Sequence, residues 1–104
     1  MKTVFVVAAA LLVPAGAVAQ DADIEAGAAY AEQVCSPCHA VAANEALSPL
    51  PQATPFQSVA DTPGMTELAL TVFLQSSHPT MPNIVLEPDD MRNVVAYIRS
   101  LKTD

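Results

Sequence analysis

The chain has 104 residues, 11 of them acidic and 4 basic, for a formal net charge of −7. That balance excludes a nucleic-acid-binding surface, which needs clustered Lys and Arg, and disfavours docking on anionic lipid headgroups. The length allows one small domain, and with no Trp, two Tyr and three Phe there is little large apolar mass to fill a core.

Met1-Lys2-Thr3 supplies a short positive start, Val4 to Val13 is an apolar run, and Ala17-Val18-Ala19 has the small-x-small pattern. Together they predict an export signal over residues 1–19, cleaved after Ala19, and a folded domain over residues 20–104. As a retained anchor the uncharged stretch falls short of the about 20 apolar residues a spanning helix needs. Pro14 and Gly16 also interrupt it. No stable membrane insertion is expected after cleavage, and a periplasm or equivalent compartment is the expected destination. The mature domain keeps three basic residues, Arg92, Arg99 and Lys102, against all 11 acids.

Asp21 to Val34 predicts a first helix, with Asp23 as N-cap and Glu25 at the positive end of its dipole. Ile24, Gly27, Ala28, Ala31 and Val34 or Cys35 recur at helical spacing. Gly27 in mid-helix costs about 1 kcal/mol relative to Ala. Such a residue is either neutral drift or the mark of another backbone or ring packed closely against it.

The helix runs into Cys35-Ser36-Pro37-Cys38-His39. Cys-x-x-Cys-His is the attachment signature of c-type haem. Two thiols about one turn apart each add across one vinyl group of a single porphyrin. His39 then lies beneath the iron and offers an axial nitrogen. A zinc site would need two further ligands, and the chain has one other histidine, His78, and no third cysteine. A thioredoxin-like pair would want a helix starting at the first cysteine, whereas here the helical pattern precedes it. A disulfide across two intervening residues closes too small a loop to stabilise much. The expected cofactor is one covalent haem c, attached through Cys35 and Cys38. In a chain this short it would serve as much of the core.

Residues 40–64 hold Pro49, Pro51, Pro55 and Pro63 with little periodicity and predict an irregular loop. Thr66 to Ser76 predicts a short middle helix, with Thr66 as N-cap and Leu68, Val72 and Phe73 as its apolar face. Ser77 to Leu86 is a second loop. Pro88 suits the first turn of a last helix that runs to about Lys102, with Met91, Val94, Val95, Ile98 and Leu101 as its stripe and Tyr97 beside it. Glu87 is a poor N-cap.

Three helical segments, Cys-x-x-Cys-His closing the first, and Met81-Pro82 in a loop before the last resemble a class I c-type cytochrome. The run Ser77-His78-Pro79-Thr80-Met81-Pro82-Asn83, then Val94-Val95-Ala96-Tyr97-Ile98, is similar to the ligand loop and last helix of small bacterial monohaem members. The resemblance implies an all-α fold of three to four helices around one haem, with terminal helices crossing. Gly27 would pack against Tyr97 there. It also implies Met81 as second axial ligand, and the chemistry agrees: a neutral thioether favours Fe(II). His78 is the rival ligand. Met91 lies on the stripe of the last helix, and Met65 suits a gap in the apolar wall. The family's carbonyl partner for the proximal imidazole falls on Pro49, with Leu50 and Pro51 as alternatives.

The expected function is that of a single-electron carrier between exported redox proteins, with no bond chemistry of its own, because His39 and Met81 leave the iron no open position. The alternatives are a dedicated cytochrome subunit of a dehydrogenase or reductase complex, or a gas or redox sensor with a labile sixth ligand. An acidic carrier would meet a redox partner through a basic patch on that partner. The competing contact is apolar, around Pro79, Pro82 and Ile84.

Overall fold

The side-chain carboxylate of Asp23 accepts the amide of Ala26 at 3.0 Å and starts helix α1, Ile24–Tyr30. The computed structural model describes residues 2–9, 21–76, 81–82 and 84–103. The predicted cleavage point after Ala19 lies outside the described residues. Residues 2–9 carry no regular structure and are exposed, and no helix among the described residues is long and apolar enough to cross a membrane.

Beyond Tyr30 the helix widens into a π turn, Ala31–Cys35, in which the amide of Ser36 reaches the carbonyl of Ala31 at 2.9 Å. The predicted irregular stretch contains a short helix, α2, Phe56–Ala60. Pro55 precedes its first residue, and the side chains of Phe56 and Ala60 are buried. Four prolines hide this helix from a periodicity reading, because five residues are too few to establish a period. Helix α3, Glu67–Gln75, is capped by the Thr66 hydroxyl, which accepts the Ala69 amide at 3.1 Å. Helix α4, Pro88–Ser100, has proline in its first turn and no side-chain cap from Glu87. Among the described residues the fold is all-α, with no strand.

The terminal helices cross at Gly27. A Cβ there would stand 2.0 Å from the Asn93 carbonyl oxygen, 2.5 Å from its carbon and 3.0 Å from the Tyr97 Cβ. Only a residue without a side chain permits that approach. The amide of Asp23 donates to the Asn93 Oδ1 at 2.9 Å, so one asparagine touches the crossing with its backbone and anchors the start of α1 with its side chain. Tyr97, one turn on, donates its hydroxyl to the Val41 carbonyl at 2.5 Å and ties α4 to the chain just past the motif.

The core gathers Ala31, Val41, Phe56, Ala60, Leu70, Val94, Val95 and Ile98. Val94 is the largest wholly buried side chain among the described residues. Helix α3 contributes Leu70, with Leu74 packed at the core's edge. Its predicted apolar face is the one turned outward: Leu68 is 74% exposed, Val72 53% and Phe73 52%. The periodicity was correct, but α3 docks on α4 through the narrower Leu70–Leu74 side and keeps its richer face outside the protein core.

The C-terminus is held by Asp61, whose carboxylate accepts the Thr103 amide at 2.8 Å and the Gln57 Nε2 at 3.0 Å. The backbone N–H of Thr103 and then the Gln57 amide hold the Asp61 carboxyl below the usual carboxylate range. Arg99 bridges to Glu67 at 3.5 Å and links α4 to α3.

Candidate haem-binding site

The motif Cys35–His39 is one tight turn. The carbonyl of Cys35 accepts the amides of both Cys38, at 3.1 Å, and His39, at 2.9 Å. Local hydrogen bonding therefore brings the two cysteines and the histidine together, as their spacing predicts.

Residues 48–56 fold back along this turn. The Leu50 amide donates to the Cys38 carbonyl at 3.1 Å, the Ala40 amide to the Ser48 Oγ at 3.0 Å, and the Phe56 amide to the Ala40 carbonyl at 2.8 Å. His39 is framed by the result. Its Nδ1 lies 2.7 Å from the Thr54 carbonyl, and its ring meets that of Phe56 at a centroid distance of 5.3 Å, tilted by 48°. A carbonyl can only accept, so Nδ1 carries the proton and Nε2 keeps its lone pair for a metal. The carbonyl also orients the ring.

That partner is Thr54, which corrects the expectation of Pro49 and its alternatives Leu50 and Pro51. The backbone at Leu50 is engaged with Cys38, and Pro49 is exposed. The chain then turns, with the Ala53 amide on the Leu50 carbonyl at 2.9 Å, before reaching the histidine. One signal for Thr54 does exist in the sequence. It precedes Pro55, and a residue before proline is biased to extended backbone, which turns its carbonyl away from local helical pairing.

Both cysteines are free thiols and half-buried, not joined as a disulfide. Burial, and then the neighbouring Cys38, push the Cys35 thiol up to about 11, so it stays protonated near neutral pH. No group of three His, Cys, Asp or Glu among the described residues is placed to hold a metal ion. Among the described residues, then, no set of three such side chains could form a protein-only zinc site.

The three later methionines separate by environment. Met65 and Met91 pack against the core. Met81 stands apart from that cluster, half-buried in the irregular stretch between α3 and α4. Its rival His78, and Pro79 of the proposed docking contact, lie outside the described residues; Pro82 is exposed and Ile84 half-buried.

These residues fit a haem. Two free thiols are set in one turn and the imidazole is fixed with Nε2 available. A thioether stands away from the core, and α3 presents an apolar face that the thin protein core does not use. A buried porphyrin would add the apolar mass that a core this small lacks. A family model described as Cytochrome c matches residues 24–102, which takes in all four helices and the whole motif. No curated protein and no solved structure matches the chain.

Proposed function

The chain belongs to the cytochrome c family, and on that premise we propose that it is an exported, periplasmic single-electron carrier with one covalent haem c, ligated by His39 and Met81. The family's chemistry is haem-based electron transfer. The observation that carries the finer reading is the His39 Nδ1–Thr54 bond beside two free thiols. It is the arrangement a metal-ligating imidazole needs, and the two thiols beside it in Cys-x-x-Cys-His spacing point to haem as the metal's carrier.

Haem, once attached, supplies the Fe(III)/Fe(II) couple. The chain's own residues do the rest. Cys35 and Cys38 would hold the porphyrin, the Thr54 carbonyl and the Phe56 ring keep the imidazole in place, and the soft Met81 thioether would favour the reduced state. With both His39 and Met81 bound, the iron would have no position left for oxygen or substrate, and the chain would carry electrons without catalysing a reaction. The export signal is removed after Ala19.

The partner is a redox protein with a basic patch. Three cations remain in the mature domain, and two of them face acids of the same chain, Arg92 on Asp89 and Arg99 on Glu67. The acids are left to set the surface field. The test mixes the reduced holoprotein with carbon monoxide and, separately, with an oxidised lysine-rich carrier across a salt series. The expected result is no carbon monoxide spectrum at neutral pH, and oxidation that is fast at low salt and slows steeply as salt rises. Carbon monoxide binding without oxidation by the partner would make the chain a sensor instead.

A further inference from the structure

The two residues between the attachment cysteines, Ser36 and Pro37, solve a hydrogen-bonding problem created by the turn before them. In a π turn each carbonyl accepts from the amide five residues on, so that of Glu32 would look to residue 37. Residue 37 is proline and has no N–H. The amide of Ser36 cannot substitute, because it donates to the Ala31 carbonyl at 2.9 Å. The next two amides, of Cys38 and His39, both go to the Cys35 carbonyl. The Glu32 carbonyl is taken up instead by the Ser36 hydroxyl. Pro37 ends the ladder and Ser36 caps it.

The consequence is one of register. Gly27 meets α4 and Ala31, four residues on, is fully buried. Cys35, another four on, packs against the same core. The π turn adds one residue between the docked part of α1 and the motif, so its closure decides how Cys35 and Cys38 are turned relative to the rest of the chain.

We propose that Ser36 and Pro37 are positioning residues for haem attachment: they lock the widened turn that holds the two thiols in the register one porphyrin requires. The inference rests on the function proposed above. In each attachment the thiol adds across a vinyl C=C bond. Sulfur bonds to the carbon next to the ring, the thiol hydrogen passes to the terminal carbon, and no oxidant or reductant is consumed. Two such additions to one rigid macrocycle demand that the sulfurs be set relative to each other. Losing the lock would mainly slow the second.

The test uses the exported, matured protein. Alkylation of the unfolded holoprotein counts thiols left unattached. The pyridine haemochrome α band, which moves to longer wavelength when a vinyl remains, reports the same event from the cofactor side. Ser36→Ala is expected to raise the singly attached fraction roughly two- to tenfold, the factor one ordinary hydrogen bond is worth. Ser36→Thr keeps a hydroxyl and should restore the wild-type proportion. Gln33→Ala, at an exposed position on the same turn, should leave it unchanged.

Pro37→Ala supplies the sharper arm. It returns an N–H to residue 37, which can take the Glu32 carbonyl, so adding Ser36→Ala in that background should have no further effect. Wild-type proportions in Ser36→Ala, or strictly additive effects of the two substitutions, would overturn the proposal. A wild-type chain exported with no haem at all would refute the function above, whereas a doubly attached wild type beside an unaffected Ser36→Ala refutes only this inference.

Discussion

Gly27→Ala lowers the melting temperature of the holoprotein by roughly 5–15 °C. The direction is opposite to what helix propensity alone gives, since Ala is favoured over Gly by about 1 kcal/mol in a helix interior. The added methyl would lie 2.0 Å from the Asn93 carbonyl oxygen and 2.5 Å from its carbon. Those atoms belong to the α4 backbone and cannot rotate away as a side chain would. Relief requires the two helices to separate, which disturbs the Asp23–Asn93 hydrogen bond and the Tyr97–Val41 bond together. Overpacking a well-fitted contact costs about 1–3 kcal/mol and occasionally more, and in a domain of this size each kcal/mol is worth about 4–8 °C. Thermal unfolding followed at the haem band and in the far ultraviolet measures the change. An unchanged or raised melting temperature would mean that α1 and α4 do not meet at Gly27.

Met81→Ala has the largest expected effect on function. On the ligation proposed above, removing the thioether takes away the ligand that favours Fe(II), so the reduction potential falls, by on the order of 100 mV, within the roughly 0.8 V range that axial ligands span. The reduced protein then binds carbon monoxide, and the far-red sulfur-to-iron band of the oxidised form disappears. Met65→Ala and Met91→Ala remove packing at the edge of the core. They should lower the melting temperature and leave the band in place. Loss of the band in either of those variants, with its survival in Met81→Ala, would assign the ligand to a different sulfur.

Much of this arrangement was legible in the residues because it depends on local rules. Asp23 and Thr66 cap the helices they precede, Pro88 opens α4, and the buried Val94, Val95 and Ile98 lie on the predicted stripe. Gly27 stood out because glycine in mid-helix needs a reason, and the α4 backbone supplies one. The features missed depend on long-range partners. Helix α2 is too short to show a period. The docked side of α3 is set by how Leu70 and Leu74 meet α4, although Leu68, Val72 and Phe73 make the richer stripe. Thr54 reaches His39 through a fold-back across 15 positions, which the extended bias before Pro55 permits but does not specify. The π turn could not be anticipated from periodicity, although Pro37 signals that the preceding ladder must end.

The acidic character of the chain also acquires a structural meaning. Arg92 and Arg99 are engaged with Asp89 and Glu67 on the exposed faces of α3 and α4. Exposed pairs of this kind add little stability, about 0–1 kcal/mol each. Their effect here is to reduce the positive charge that a partner would meet.

The central claim is that Cys35 and Cys38 carry one haem. The intact mass of the exported protein, taken after unfolding in acid, tests it most directly, because a thioether-bound haem survives conditions that release a merely ligated one. The account predicts a single species whose mass is that of the chain from Gln20 plus one haem, with no thiol open to alkylation. A haem-bearing species that still includes residues 1–19 would correct only the signal cleavage. A haem-free mass, with two alkylatable thiols or with a disulfide between Cys35 and Cys38, would contradict the account.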